Sequence, residues 1–113
     1  MNTIEETLQD LREGKLVIVV DDEDRENEGD LIMAADKVTP EAINFLALHG
    51  RGLICAPISK EIADRMELPP MTMKNSEKNR CNFTISVDAR EGITTGISAK
   101  DRANTIRTLI NPK

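Results

Sequence analysis

Apolar positions along this 113-residue chain repeat with helical spacing in some segments and with strand spacing in others. Four helices are predicted, and each follows a hydroxyl residue that can cap its first turn. These capping residues are Thr3, Thr39, Ser59 and Ser98. The capping signal is reinforced by Glu6, three residues after Thr3, and by Pro40 at a first helical position.

Four apolar runs between the helices predict strands. Residues 16–20 and 53–56 are continuously apolar, which predicts strands that are covered on both faces. Residues 83–87 alternate apolar and polar side chains, as in a half-buried strand. Residues 31–35 are apolar again, and Glu28-Gly29-Asp30 is expected to form the turn before them. Residues 74–80 show no periodicity and are expected to be mobile.

Alternating helices and strands, without an internal repeat or linker, predict an α/β or α+β layer structure with helices packed on a sheet. The length predicts one domain, spanning residues 1–113. Cys55 and Cys81 are too far apart in sequence for a paired metal or redox motif, so no disulfide is expected.

The negative charge is concentrated in one segment. The formal net charge is −5, and residues 21–30 contain seven carboxylates against the single Arg25, so the other residues together carry +1. This remainder offers no basic stripe for nucleic acid and no polybasic face for a membrane. No signal peptide or membrane-spanning run is present in the sequence, which predicts a soluble, cytoplasmic protein.

The acidic segment 21–30 has two interpretations. Acid-rich loops are usually just solvated, and composition alone favours that interpretation. However, converging carboxylates in a partly desolvated pocket need protons or a cation, and oxygen ligands are those that Mg²⁺ prefers. Because Arg25 lies inside the cluster and apolar runs anchor both of its ends, we favour a divalent metal site, with Mg²⁺ or possible Mn²⁺.

The order of residues in 21–30 resembles the signature segment of the 3,4-dihydroxy-2-butanone 4-phosphate synthase family of riboflavin biosynthesis. The similarity continues, in order, through residues 49–55, 68–71, 83–88 and 94–103. The resemblance implies a mixed sheet packed with helices and a homodimer with its sites at the subunit interface. It also implies a magnesium-dependent lyase that converts D-ribulose 5-phosphate into L-3,4-dihydroxy-2-butanone 4-phosphate and formate.

The resemblance also implies roles for individual residues of the acidic segment. By matching position, Glu26 is the metal ligand, and Arg25, Glu26 and Asp30 contact the sugar phosphate. Glu26, Glu28 and Asp30 are the candidate catalytic carboxylates, and the one that moves protons is left open.

Two residues outside the acidic segment are implied to bind substrate. Cys55 matches a family cysteine beside the substrate, but a thiol in an apolar run is usually an inert small hydrophobe, so we expect proximity without a catalytic role. Thr95 lies in a turn before a predicted helix, and there it can offer its hydroxyl and nearby backbone amides to the phosphate.

The resemblance covers the whole chain but only about the first half of the family's catalytic domain. The family's Gly-His-Thr-Glu segment, whose histidine is implied as a second metal ligand, has no match here. We therefore expect the N-terminal portion of a single synthase domain, which needs completion for activity and tends to self-associate. The alternative is a non-catalytic fragment or binding module that retains the acidic loop.

Overall fold

The structure, a computed structural model, describes residues 1–74 and 81–112 and has an α+β architecture. Its elements, in chain order, are α1 (Ile4–Arg12), β1 (Val17–Val20), β2 (Gly29–Ile32), α2 (Pro40–Phe45), α3 (Lys60–Arg65) and α4 (Ala99–Ile110). A 3-10 turn at Ala35–Lys37 precedes α2, and a π-helical turn at Leu46–Gly50 extends it. The expected α+β class is confirmed, and the sheet of the described residues contains two antiparallel strands.

Each predicted helix begins at its predicted cap. The hydroxyls of Thr3, Thr39, Ser59 and Ser98 each accept a hydrogen bond from a backbone amide of the following turn. In α1 the Glu6 carboxylate also accepts the amide of Thr3, which completes the capping box. None of the described helices has the length and apolarity needed to cross a membrane.

The strands β1 and β2 form a hairpin that carries the acidic segment at its tip. Val17 pairs with Ile32, and Val20 pairs with Gly29. The turn therefore spans residues 22–27, and the prediction of a turn at Glu28-Gly29-Asp30 is wrong because Gly29 and Asp30 belong to β2. Asn27 closes the turn with a φ of 52°, a left-handed conformation that asparagine tolerates better than most residues.

The core lies between α2 and α4. Its buried residues are Val38, Ile43 and Ala103, and half-buried apolar side chains pack around them. The Arg107 guanidinium, through Nη2, donates to the Val38 carbonyl at 2.8 Å and ties α4 to the chain just before α2. This small core therefore fixes α4 against α2.

Three strand predictions need correction. Residues 53–56 form no strand, and Leu53 is exposed. Residues 83–87 contribute only an isolated bridge between Thr84 and Pro70. β1 forms as predicted, but Ile18, like the two residues after it, is exposed and not covered on both faces. Among the described residues, the run 53–56 has no strand partner, and Ile54 packs against the core cluster instead. The predicted mobility of 74–80 falls, except for its first residue, outside the described residues.

Candidate functional site

Asp21 organises the acidic loop. Its Oδ1 accepts the amide of Glu28 at 2.7 Å, and its Oδ2 accepts the amide of Glu26 at 3.0 Å and Nη1 of Arg25 at 2.9 Å. The Glu28 amide, followed by the Glu26 amide and the Arg25 guanidinium, lowers the pKa of Asp21 below its ordinary value. One carboxylate thus fixes the backbone on both sides of Asn27.

Arg25 and Glu26 are paired directly. Arg25 Nη1 lies 2.8 Å from Glu26 Oε1, while 68% of the Arg25 side chain and 26% of the Glu26 side chain are exposed. Within residues 1–74 and 81–112, the other Glu26 oxygen, Oε2, accepts no hydrogen bond. Glu26 therefore presents one carboxylate oxygen that is open to a ligand.

Glu28 and Asp30 lie on the returning side of the hairpin. The Glu28 carbonyl accepts the amide of Asp21 at 3.2 Å, and Asp30 is paired with Val19 across the sheet. Both side chains are exposed. The structure thus gathers the four predicted residues Arg25, Glu26, Glu28 and Asp30 at one end of one hairpin.

The loop suits a metal held by few protein ligands. Among the described residues, no three His, Cys, Asp or Glu side chains converge on a common point. Mg²⁺ usually keeps several waters and takes only one or two protein carboxylates, with substrate oxygens completing the octahedron. The open oxygen of Glu26 fits such a site, whereas a closed cage of protein ligands does not form.

The turn that contains Thr95 is built on a different carboxylate. Asp101, only 2% exposed, accepts through Oδ2 the Thr94 hydroxyl at 2.7 Å, the Gly96 amide at 2.9 Å and the Thr94 amide at 3.0 Å. These bonds, led by the Thr94 hydroxyl, lower the pKa of Asp101. Two amides that the sequence suggested for a phosphate are therefore used within the protein. The side chain of Thr95 is exposed.

Cys55 lies in a groove on the same side as this turn. The groove has a volume of about 800 Å³ and is formed by residues 53–60, residues 81–88 and α4, with Gly96 and Arg102 in its wall. Cys55 is exposed, and its Sγ lies 3.8 Å from the Leu53 carbonyl. Among the described residues, none from the hairpin 17–32 lines this groove. The predicted site residues therefore fall into two groups, the acidic loop and the groove.

Two organising carboxylates escaped the sequence analysis. Asp21 belongs to the acidic segment, and its position directly after a strand and before its own loop is typical of residues that bond nearby amides. Asp101 is the third residue of α4, and its backbone amide donates to the Ser98 hydroxyl. The bond from its carboxylate to the turn has no comparable sequence signal.

The chain is similar to known proteins over nearly its whole length. The family model of 3,4-dihydroxy-2-butanone 4-phosphate synthase matches residues 5–113. A probable bifunctional riboflavin biosynthesis protein of Oryza sativa subsp. japonica, described as chloroplastic, is 59% identical over 113 residues, which are 98% of this chain and 21% of that protein. The 3,4-dihydroxy-2-butanone 4-phosphate synthase of Photobacterium phosphoreum is 56% identical over 110 residues, 97% of this chain and 30% of that protein.

Solved structures agree with these matches. A 3,4-dihydroxy-2-butanone 4-phosphate synthase in complex with two magnesium ions superposes with a TM-score of 0.96 at 43% identity, covering 100% of this chain and 53% of that one. A two-domain synthase from A. baumannii gives a TM-score of 0.89 at 50% identity, covering 98% of this chain and 32% of that one. The chain thus spans about half, or less, of the length of these relatives. It belongs to the 3,4-dihydroxy-2-butanone 4-phosphate synthase family.

Proposed function

We propose that this chain contributes the acidic-loop part of a magnesium-dependent lyase site that converts D-ribulose 5-phosphate into L-3,4-dihydroxy-2-butanone 4-phosphate and formate. The observation that carries the proposal is the loop in which Asp21 fixes Arg25 and Glu26 side by side, in a member of the synthase family. The relative crystallised with two magnesium ions supports Mg²⁺. Mn²⁺, which accepts the same kind of oxygen ligands, is proposed as a substitute.

Each residue of the loop has a proposed task. Glu26 would hold the metal through its open oxygen, and a metal bound there would supply stabilisation of negative charge on the substrate. Arg25 donates to the sugar phosphate from an exposed guanidinium, which can grip oxyanions in a fixed geometry. Asp30 accepts hydrogen bonds from the sugar hydroxyls at the mouth of the hairpin.

Proton transfer is assigned to the same carboxylates. Enolisation of the sugar requires removal of the C3 proton, and an aligned carboxylate typically contributes about 10²- to 10⁴-fold to such a step. Glu26, Glu28 and Asp30 are the proposed catalytic residues. Their individual replacement by Gln or Asn separates the base from the residues that only bind, because loss of the base lowers kcat more than it changes KM.

The two residues of the groove side are proposed to bind substrate without entering the chemistry. Thr95 offers its exposed hydroxyl to the phosphate, and Cys55 lies beside the substrate as a neutral thiol. Since the groove lies apart from the hairpin, their contact with the same substrate molecule is a separate proposal. Replacement of Thr95 by Val is expected to raise KM for the sugar phosphate and to leave kcat little changed.

A chimera tests the proposed reaction. This chain replaces the matched part of the Photobacterium phosphoreum synthase, and formate release from D-ribulose 5-phosphate is measured with Mg²⁺. We expect the chimera to release formate and the change Glu26→Gln to slow release by about 100-fold or more. Asp22→Asn serves as the control because it removes one charge from the same loop but leaves Glu26 in place. A folded chimera without formate release, or one indifferent to Glu26→Gln, contradicts the proposal.

The second candidate function is a binding module that takes metal or sugar phosphate without turnover. It is favoured by the loop itself, because the bonds of Asp21 and the pairing of Arg25 with Glu26 form entirely within the acidic segment. Mn²⁺ binding by the chain, measured by water-proton relaxation, together with a chimera that releases no formate, would support it over the lyase.

We also propose a homodimer located in the cytoplasm. The dimer is supported by the family resemblance and by the exposed apolar side chains of this chain. The location rests on sequence composition alone. Sedimentation velocity over a range of chain concentrations measures the dimer directly.

A further inference from the structure

Arg25 is the only basic residue of the acidic loop, and one of its nitrogens faces two carboxylates. Its Nη1 lies 2.9 Å from Asp21 Oδ2 and 2.8 Å from Glu26 Oε1. The contact with Asp21 is a hydrogen bond, whereas the contact with Glu26 is an ion pair. Asp21 therefore anchors the guanidinium, and Glu26 is the partner that is more easily replaced.

The other edge of the Arg25 guanidinium is free. The side chain is 68% exposed, and within residues 1–74 and 81–112 neither its Nη2 nor its Nε donates a hydrogen bond. A guanidinium presents its N–H groups as a planar fork that matches two oxygens of a phosphate or carboxylate. Arg25 can thus hold an oxyanion on this edge while its Nη1 stays on Asp21.

The same positive charge opposes a metal ion at Glu26. Oε1 of Glu26 faces the guanidinium and Oε2 is open, so a divalent cation held by Glu26 has Arg25 as its neighbour across one carboxylate group. Like charges this close repel each other, and the screening length of about 8 Å at physiological salt leaves much of that repulsion. Because exposed ion pairs contribute little free energy, one bound ligand is enough to shift the balance.

We propose that Arg25 links metal binding and oxyanion binding at the acidic loop, so that each ligand strengthens the other. The inference rests on the proposed function, because it concerns the same metal and sugar-phosphate site. Without an oxyanion, the guanidinium charge lowers the affinity of Glu26 for a divalent cation. A phosphate ester on the free edge of Arg25 neutralises that charge, and the affinity rises. Such linkage is reciprocal, so the cation tightens binding of the ester by the same factor.

Mn²⁺ titrations of the chain, followed by water-proton relaxation, test the linkage with and without glycerol 3-phosphate. In the absence of the ester, Arg25→Gln is expected to tighten Mn²⁺ binding by about threefold or more, because it removes the opposing charge. The ester is expected to tighten Mn²⁺ binding by the parent chain to a similar extent and to leave binding by Arg25→Gln unchanged. The titration of Arg25→Gln also corrects for Mn²⁺ that the ester complexes in solution.

Two control variants separate the position of the Arg25 charge from the net charge of the chain. Arg12→Gln removes one exposed cation at the end of α1, outside the loop, and is expected to change the Mn²⁺ affinity by less than about 1.5-fold. Arg25→Lys keeps a positive charge beside Glu26 and is expected to bind Mn²⁺ nearly as weakly as the parent. Hydrogen exchange of the Glu28 amide, which donates to Asp21 at 2.7 Å, reports whether the loop keeps its order in each variant.

Reciprocity supplies a second measurement, which requires no variant. Mg²⁺ is expected to tighten binding of glycerol 3-phosphate to the parent chain, followed by phosphorus NMR, by the same factor as the ester tightens binding of the metal. A chain that binds the ester equally well with and without Mg²⁺ contradicts the linkage.

Three further results overturn the inference. They are Mn²⁺ binding by Arg25→Gln that is no tighter than by the parent, equal tightening by Arg12→Gln, and a parent titration that is indifferent to the ester. Glu26→Gln separates this failure from failure of the proposed site, because it is expected to weaken Mn²⁺ binding by about tenfold. If it does so while Arg25→Gln changes nothing, only the linkage is wrong. If Glu26→Gln leaves Mn²⁺ binding unchanged, the assignment of the metal to Glu26 is wrong as well.

Discussion

The acidic loop and the groove are both open to solvent, yet their polar groups are satisfied in opposite ways. In the loop, Asp21 accepts three hydrogen bonds from residues at most seven positions away. In the groove, segments from distant parts of the chain lie side by side, and among the described side chains Arg102 Nε is buried without a hydrogen bond. A charged loop can thus be ordered by local contacts, whereas an apolar wall depends on segments that are far apart in the sequence.

The turn before α4 shares one property with the acidic loop and one with the groove. It is locally bonded like the loop, through Asp101, but one of its residues, Gly96, forms part of the groove wall. If local hydrogen bonds make a segment rigid, substitutions in this turn should destabilise the fold more than substitutions at nearby positions that make no such bonds.

The largest effect is expected at Gly96. It has a φ of 89°, which disfavours any side chain, and an added Cβ would overlap the Asp88 carboxylate. Gly96→Ala should therefore destabilise the fold by on the order of 3 kcal/mol in urea unfolding. Gly52→Ala is the control, because a Cβ there meets nothing within 4 Å, and it should stay within about 0.5 kcal/mol of the parent. Similar costs at both positions would show that the backbone conformation of Gly96 and its contact with Asp88 carry no special cost.

A smaller effect is expected from the two neighbouring threonines. Thr94 donates its hydroxyl to the buried Asp101, so Thr94→Val should raise the unfolding equilibrium constant roughly tenfold. Thr95 is exposed, so Thr95→Val should change it less than about twofold. Equal losses in thermal or urea unfolding would mean that Thr95 is a structural residue and not a binding one.

In the loop, the expected effect is confined to a few amides. Asp21→Asn replaces an oxygen acceptor by an amide group that faces donors, so exchange of the Glu26 and Glu28 amides should accelerate roughly tenfold. Asp22→Asn removes the same charge, but the Asp22 carboxylate accepts only a 3.4 Å bond from the Asp24 amide. Hydrogen exchange followed by NMR distinguishes the two. Equal acceleration would mean that the net charge of the loop, and not the hydrogen bonds of Asp21, keeps the loop ordered.

The same division explains what the sequence could predict. Helix starts at Thr3, Thr39, Ser59 and Ser98 depend on bonds within one turn, and all four are confirmed. The hairpin was predicted as a pair of strands, but its turn was misplaced because register depends on cross-strand pairing that a single sequence does not show.

The groove segments show the other limit of sequence analysis. Residues 53–56 and 83–87 have strand patterns, but a strand forms only beside a partner, and the described residues do not bring one. The same applies to the candidate site. The grouping of Arg25, Glu26, Glu28 and Asp30 follows from one short segment, whereas the position of Cys55 in a groove formed by three segments does not.

The smallest expected effect is the salt dependence of two carboxyl pKa values. Asp21 and Asp101 both have pKa values lowered from 3.8, so each contributes stability above its unfolded pKa and loses it as the pH falls through its folded pKa. The donors to Asp101 are neutral, but one donor to Asp21 is the exposed Arg25 cation.

Raising the salt from 0.1 M to 1 M shortens the screening length from about 10 Å to about 3 Å. In carboxyl-carbon NMR titrations without metal, the Asp21 midpoint should rise with salt because its ion pair with Arg25 is screened, and the Asp101 midpoint should stay nearly unchanged. Equal shifts would show that the ion pair with Arg25 does not distinguish Asp21 from Asp101.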